Sequence, residues 1–352
     1  MKKLIVCNTY YQLISAIQLA LTLFQEQQID LILSDHSCHA EKVAQRIGEV
    51  GLFHSVSFAR TVERDSDASF RAKVLRTLHM IVERYGAFAG YDEVVFYNLD
   101  ESLYTIITSL RADNVRLICS GFDEGILSTG QISHGNSVAI ANRARGALRL
   151  KTYPGLQKYY CYYPVLYRSD RKGCEVVQIP SWSQTREKLT GILRDAFETG
   201  PGLRQQKYIY FCSSSDIDGF PFGETELVMK LADHVGRDNL LVKMHPRDGR
   251  RVFQDYGISV MGNSSTPWEA IQICGEVTGK ILLTATSGSF LTSTAMLDDG
   301  TRGVFLLPHH EKVPPRIWEQ EERIREVVRK LKSEGECENI TISEGFDLEV
   351  LD

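Results

Sequence analysis

The chain has 352 residues, a formal charge of −5, 43% hydrophobic residues and 24% charged ones. That length exceeds what one core needs and suits two domains. The apolar content is that of an ordinary soluble globular protein, and the net charge excludes general nucleic-acid binding.

The start, Met1 to Cys7, imitates a signal peptide, but the polar residues Asn8 to Gln12 interrupt the apolar run and no small-residue cleavage site follows. Eight cysteines are scattered without a Cys-x-x-Cys pair, which implies reduced thiols. No stretch is long and apolar enough to span a bilayer. A cytoplasmic protein is expected, with peripheral contact at an inner membrane as an option.

Lys3–Cys7 reads as a first strand and Asn8 to Gln12 as a polar turn. Leu13, Ile17, Ala20, Leu21 and Phe24 then recur at helical spacing. Further pairs follow: strand Asp30–Leu33 with helix Ala40–Val50, strand His54–Phe58 with helix Phe70–Tyr85, and strand Glu93–Tyr97 with helix Leu103–Arg111. Strand Val115–Cys119 comes next. Residues 120–181 break the rhythm. They hold Gly121-Phe122-Asp123-Glu124-Gly125, a basic stretch (Arg143, Arg145, Arg149, Lys151) and a tyrosine-rich run from Tyr153 to Tyr167.

Alternation resumes with strand Tyr208–Cys212, helix Glu224–Val235 and strand Leu240–Lys243. Strand Ile281–Thr284 leads into a helix over Phe290–Leu297, beginning near Gly288, and strand Gly303–Leu306 closes the sheet. A charged helix spans Pro315–Lys332, and an acidic tail over 333–352 is expected to fray. Alternating strands and helices imply parallel sheets covered on both faces. The expected class is α/β of the GT-B type, two Rossmann-like domains facing a cleft. Residues 1–185 are expected to form the N-terminal domain, on the acceptor side in a transferase, and 186–332 the C-terminal domain, on the nucleotide-donor side. Glycosyltransferases, some epimerases and periplasmic binding proteins are all built so, and the fold does not fix function.

Five stretches carry candidate chemistry. In strand Leu240–Lys243, Pro246 ends the run after His245, and Lys243 and His245 share a face. A cation and an imidazole at a strand's carboxyl end suit a phosphate. In Thr286-Ser287-Gly288-Ser289, either serine can cap the following helix, whose start offers N–H groups to an anion. Asp123 and Glu124 put two carboxylates at another strand end, where one can deprotonate an acceptor hydroxyl. Ser213-Ser214-Ser215-Asp216-Ile217-Asp218-Gly219 offers hydroxyls for substrate oxygens and a second base, Asp216. In Thr266-Pro267-Trp268-Glu269, Pro267 opens a helix and Glu269 can accept from ribose hydroxyls. Each also has a plain structural reading as a turn, a cap or a polar loop. Asp35-His36-Ser37-Cys38-His39 matches no zinc spacing; Asp65-x-Asp67 and Asp216-x-Asp218 match the minimal Asp-x-Asp pattern of metal-using glycosyltransferases, a two-residue match frequent by chance; His309-His310 reads as a loop, and no metal or cofactor is expected.

In this order the motifs resemble bacterial sialyltransferases, glycosyltransferase family 52 above all, the lipooligosaccharide sialyltransferases. Phe122-Asp123-Glu124-Gly125 resembles their Asp-Asp/Glu-Gly motif, Val242 to Arg247 their His-Pro motif and Ser287-Gly288 their serine motif. Thr266 to Glu269 is similar to the donor-side Pro-aromatic segment, and Asn8 to Leu13 to the opening strand and loop. The resemblance implies an inverting, metal-independent transfer from CMP-sialic acid to a sugar hydroxyl of a surface glycan, lipooligosaccharide or capsule. It implies His245 on the departing phosphate and Asp123 or Asp216 as base, with a slight preference for Asp216. Lys243, Arg247, Pro267, Glu269, Ser213, Ser214, Ser287, Gly288 and Ser289 would hold the donor; Asn8, Tyr10, Gln12 and Glu124 the acceptor. A glycan or glycolipid acceptor, peripheral membrane contact through the basic stretch and a homodimer are the partners considered. The alternatives are a GT-B transferase or epimerase using a UDP-sugar, and a non-catalytic sugar-nucleotide binder.

Overall fold

The structure is a computed structural model describing residues 1–60, 69, 71, 90–130, 136–167, 173–197, 205–245, 247–261, 266–275, 277–297, 299–308 and 313–351. The chain divides into two compact units. One comprises Met1–Glu124 and Ser128–Ser181, the other Gly125–Leu127 and Trp182–Asp352.

The first unit runs β1 (Lys2–Cys7), α1 (Tyr10–Leu21), β2 (Gln28–Ser34), α2 (Ala40–Val50), β3 (Ser55–Ala59), β4 (Glu93–Phe96), α3 (Glu101–Asp113), β5 (Ile118–Phe122), α4 (Asn136–Ala147), β6 (Lys158–Cys161) and β7 (Glu175–Gln178). Its strands form a seven-stranded parallel sheet in the order β3-β2-β1-β4-β5-β6-β7. The central strands are buried on both faces, which is why they read as unbroken apolar runs. Helix starts follow side-chain chemistry. Thr9 accepts the Gln12 N–H at 3.3 Å, and Asp100 accepts the Leu103 N–H at 2.8 Å. Between the strands, the buried Lys3 ammonium pairs with Glu93, whose Oε1 also accepts from the Ser120 and Tyr160 hydroxyls. This network joins β1, β4, β5 and β6 and leaves the buried carboxylate matched.

The second unit runs α5 (Arg186–Phe197), β8 (Tyr208–Phe211), α6 (Glu224–Val235), β9 (Leu240–Lys243), α7 (Val252–Asp255), β10 (Ser259–Val260), α8 (Trp268–Ile273), β11 (Ile281–Thr284), α9 (Leu291–Met296), β12 (Arg302–Leu307), α10 (Pro315–Ser333) and β13 (Ile340–Glu344). Six parallel strands take the order β10-β9-β8-β11-β12-β13. This is the doubly wound order: the chain moves outward from β8 to β10, then returns to β11 on the other side. The crevice outside the carboxyl ends of β8 and β11 is the ligand position in such sheets.

Three expectations are corrected. The strand expected at Val115–Cys119 lies at Ile118–Phe122, because its register is set by β4 and β6, with Ile118 opposite Glu93 and Phe122 opposite Tyr160. Residues 120–181 do not interrupt the sheet; they add β6 and β7 to it. The expected tail does not fray: Ile340-Thr341-Ile342 is β-branched, and it pairs with β12 from Gly303 opposite Ile340 to Leu307 opposite Glu344. The helix expected over Phe70–Tyr85 falls outside the described residues.

Ile340 is fully buried in that last strand. Ile340→Ala is expected to lower stability by about 2–4 kcal/mol, measured as a urea unfolding midpoint. A residue in a frayed tail would give no change.

Candidate functional site

In the second unit, β9 ends at Lys243, whose side chain is only 8% exposed. Loss of hydration pulls the ammonium pKa down, and the Glu269 carboxylate partly restores it. Glu269, in the first turn of α8, answers in kind. Burial pushes its carboxyl up to about 7 against the pull of Lys243. Among the described residues no carboxylate lies within ion-pair distance of Lys243.

His245, two residues on, is half-buried. The backbone N–H of Arg247 donates to its Nδ1 at 3.2 Å. Nδ1 is therefore an acceptor, and the neutral ring carries its proton on Nε2. Burial first, then the Arg247 and Lys243 charges, hold this imidazole below its ordinary pKa. The strand end thus offers a buried cation beside an uncharged N–H donor. Pro246 lies outside the described residues.

The neighbouring acids are spoken for. Arg250 pairs with Asp216 at 3.0 Å and with Asp248 at 2.6 Å, and Arg247 pairs with Asp218 at 3.0 Å. Asp216 also accepts the Thr225 hydroxyl at 3.3 Å. Ser213 donates through its N–H and its hydroxyl to the buried Glu224, at 3.0 and 2.7 Å, and Ser214 donates to Asp218 at 2.7 Å. These serines brace the loop after β8. Glu224 also accepts the Tyr210 hydroxyl at 3.0 Å, and burial pushes its carboxyl up to about 7.

At the end of β11, Thr284 Oγ1 accepts the Ser287 N–H at 3.0 Å and donates to the Phe211 carbonyl at 2.9 Å. The Ser287 and Ser289 hydroxyls bond each other at 2.6 Å. Neither caps the helix, contrary to expectation. The turn closes on itself, and α9 starts later, after Phe290, which supplies no side-chain cap. Gly288 fits because a Cβ there would meet Leu127 Cδ1 at 2.7 Å. Pro267 stands immediately before α8. Trp268 packs edge-on against Phe211 at 4.6 Å and donates to Gln272 at 2.9 Å. Thr284, Gln272 and Trp268 thus shape this edge. Trp268 stood within the Thr266 to Glu269 stretch, whereas the uncharged side chains of Thr284 and Gln272 form no pattern that would have singled them out.

In the first unit, the same sheet edge collects the other candidates. The Asn8 N–H donates to Gln12 Oε1 at 2.7 Å, and the Tyr10 hydroxyl donates to the Cys38 carbonyl. Asp123, directly after β5, is buried and accepts the Tyr162 N–H at 3.2 Å. Burial pushes its carboxyl up to about 7, against the lowering pull of the Tyr159 and Thr129 hydroxyls. Glu124 is half-buried, and its carboxyl is likewise raised by burial; the Thr9 and Gln12 side chains and the His36 charge act the other way. Gln12 and Glu124 therefore come together, while the Tyr10 hydroxyl is engaged with Cys38. Tyr97, after β4, was missed. Burial and then Glu124 raise its phenol, which marks it as a member of the same cluster. Tyr159 lay within the tyrosine-rich run, to which no role was given.

Among the described residues no group of three His, Cys, Asp or Glu is placed to hold a metal ion, and no helix is long and apolar enough to cross a membrane. Asp65, Asp67, His309 and His310 lie outside the described residues.

Asp123 makes stability pH-dependent. Its carboxyl titrates at about 7 in the folded chain, against an ordinary value of 3.8. The folded chain holds that proton between the two values, so stability is lost as pH rises through about 7. Asp123→Asn is expected to gain about 2–4 kcal/mol on the wild type between pH 5 and pH 8, read from urea unfolding at each pH. Glu224 and Glu269 add a decline of the same sign that the variant retains.

No protein-family model matches the chain, and no curated protein matches it significantly. Solved structures do match. The α/β-galactoside α-2,3-sialyltransferase of Photobacterium phosphoreum is 10% identical with a TM-score of 0.54, over 97% of this chain and 98% of that one. The S. aureus MnaA structure with UDP is 12% identical with a TM-score of 0.51, over 96% and 92%. A UDP-N-acetylglucosamine 2-epimerase is 9% identical with a TM-score of 0.50, over 95% and 90%. At such identities the likeness is one of fold. With the two parallel sheets it establishes a GT-B-type fold of two Rossmann-like units.

Proposed function

We propose that this chain is a glycosyltransferase, and specifically an inverting, metal-independent sialyltransferase. It moves sialic acid from CMP-sialic acid to a sugar hydroxyl of a bacterial surface glycan. The observation that carries this reading is the end of β9. Lys243 is buried there with no contacting carboxylate among the described residues, and His245 has its proton placed on Nε2. A buried cation beside a neutral N–H donor is matched to one phosphate, and CMP departs as a monophosphate. The resemblance of the motifs to sialyltransferases and the likeness of the fold to one of them support the same assignment.

In the proposed reaction the acceptor oxygen attacks the anomeric carbon from the face opposite CMP. The new C–O bond forms as the bond to the CMP phosphate breaks. His245 Nε2–H donates to a phosphate oxygen, and Lys243 offsets the charge that collects there. The Ser287–Ser289 turn and Glu269 hold the rest of the donor. The acceptor's proton passes to Asp123. A buried carboxyl titrating at about 7 has the basicity such a step needs at neutral pH. Asp216 is the weaker candidate, since the Arg250 cation and the Thr225 hydroxyl both bond its Oδ2 and draw on its basicity. Gln12 and Glu124 orient the acceptor.

A second reading, a transferase or epimerase using a UDP-sugar, is favoured by the fold's likeness to the MnaA–UDP structure and to the epimerase. Thermal shift separates the two. CMP is expected to stabilise the chain by roughly 2.7 kcal/mol at a hundredfold excess over its dissociation constant, and UDP not at all. An equal or larger shift with UDP sinks the sialyl donor.

The two catalytic roles separate by rescue. His245→Ala is expected to lower transfer by roughly two to three orders of magnitude with any acceptor. Asp123→Ala is expected to lose transfer to sugars, yet to regain donor cleavage when azide, which has no proton to give up, replaces the acceptor. Near-native rates in Asp123→Ala would remove it as the base.

A further inference from the structure

The basic stretch near residue 145 is more than a run of charge. Helix α4 buries one face against the first unit: Val138 lies in the core, and Asn142 bonds the Tyr104 hydroxyl and the Tyr153 backbone. The opposite face is apolar where a solvated helix would be polar. Ile140, Ala144, Ala147 and Leu148 recur at the spacing of one helical stripe. Ile140 and Leu148 are each 70% exposed, and Leu150 just beyond the helix is 50% exposed.

The helix end holds this arrangement open. Arg149 has φ 58, the left-handed position that glycine normally takes after a helix. Its N–H bonds the Gly146 carbonyl at 3.0 Å, and the Leu150 N–H bonds the Arg145 carbonyl at 2.9 Å. In such a cap the residue at Leu150 ordinarily folds back on the helix; here it stands half in solvent. Arg145 is engaged differently, since its Nε donates to the Lys151 carbonyl at 2.8 Å and fastens the returning chain. Arg143, Arg149 and Lys151 remain as exposed cations bordering the three apolar side chains.

Charge names the partner. The chain is net negative, yet from Gly125 to Ser169 it has no Asp or Glu. Among the described residues the carboxylate bonded to α4 is that of Glu101, which takes the Ser137 hydroxyl at 2.6 Å at the other end of the helix. Exposed aliphatic side chains bordered by Arg and Lys match the headgroup region of an anionic bilayer, where apolar groups enter the acyl boundary and cations meet phosphates. We infer that Ile140, Leu148 and Leu150, with Arg143, Arg149 and Lys151, form a peripheral docking face for an anionic membrane. The inference is independent of which nucleotide the second unit takes.

Flotation of the full chain tests it. The wild type is expected to float with vesicles of phosphatidylcholine and phosphatidylglycerol, and not with phosphatidylcholine alone. The triple variant Arg143→Gln/Arg149→Gln/Lys151→Gln should partition about a hundredfold less, each cation being worth close to a factor of five beside an anionic surface. Ile140→Ser/Leu148→Ser/Leu150→Ser should lose at least tenfold on the same anionic vesicles, with unfolding temperatures that show both variants folded. Wild-type protein that stays unbound, or variants that float as the wild type does, would overturn the inference. So would a dimer that the apolar variant dissolves in the absence of flotation, which would assign the face to a second copy.

Discussion

Taking the Lys243 ammonium out of water is the constraint on which the second unit's carboxyl edge depends. β9 is an interior strand, flanked by β8 and β10, and Lys243 lies opposite Phe211. Burying a charge costs several kcal/mol unless an opposite charge or hydrogen bonds compensate. Glu269 compensates only from beyond contact, and its own carboxyl is held near 7. The other nearby acids, Asp216, Asp248 and Asp218, are paired with Arg250 and Arg247 rather than with Lys243. Lys243 is left without a contacting carboxylate among the described residues, two positions before a histidine whose backbone partner fixes its tautomer. In the proposed reaction this ammonium and the Nε2–H are the charge and the donor offered to the departing phosphate.

The first unit applies the opposite logic with carboxylates. Glu93 is buried but matched by Lys3, Ser120 and Tyr160, so it stays a strut of the sheet. Asp123 is buried with a backbone N–H and hydroxyls for company, no cation lowers it, and its carboxyl rises to about 7. One sheet therefore contains a structural acid and a poised one, separated only by what stands beside each. Glu124, Gln12 and Tyr97 extend the poised cluster across the ends of β1, β4 and β5.

Topology explains why both clusters sit where they do. Buried parallel strands have no free face, so polar side chains gather where strands end. Both sheets reverse direction next to their first strand, and the loops there diverge and leave room. Away from these edges, the outer face of α4 departs from ordinary patterning, with aliphatic side chains meeting solvent among arginines.

Much of the fold was legible because burial writes itself as periodicity. Ala40–Val50, Glu224–Val235, Leu240–Lys243 and Ile281–Thr284 are each helix or strand over the residues that their patterns indicated. The placement of Lys243, His245, Asp123 and Ser287 at strand ends followed from the same patterns. Partnership was not legible. Arg250 and Asp216 stand 34 residues apart, and nothing local says that they pair. The self-closing serine turn, the capture of Ser213 by Glu224 and the acidic last segment's place in the sheet also depend on chains meeting in space. Local pattern was enough to mark the strands and helices and the polar residues at their ends, because periodicity and turn chemistry act over a few neighbouring residues. Which charges are cancelled and which remain was settled only in three dimensions, because that depends on burial and on neighbours brought from far along the chain.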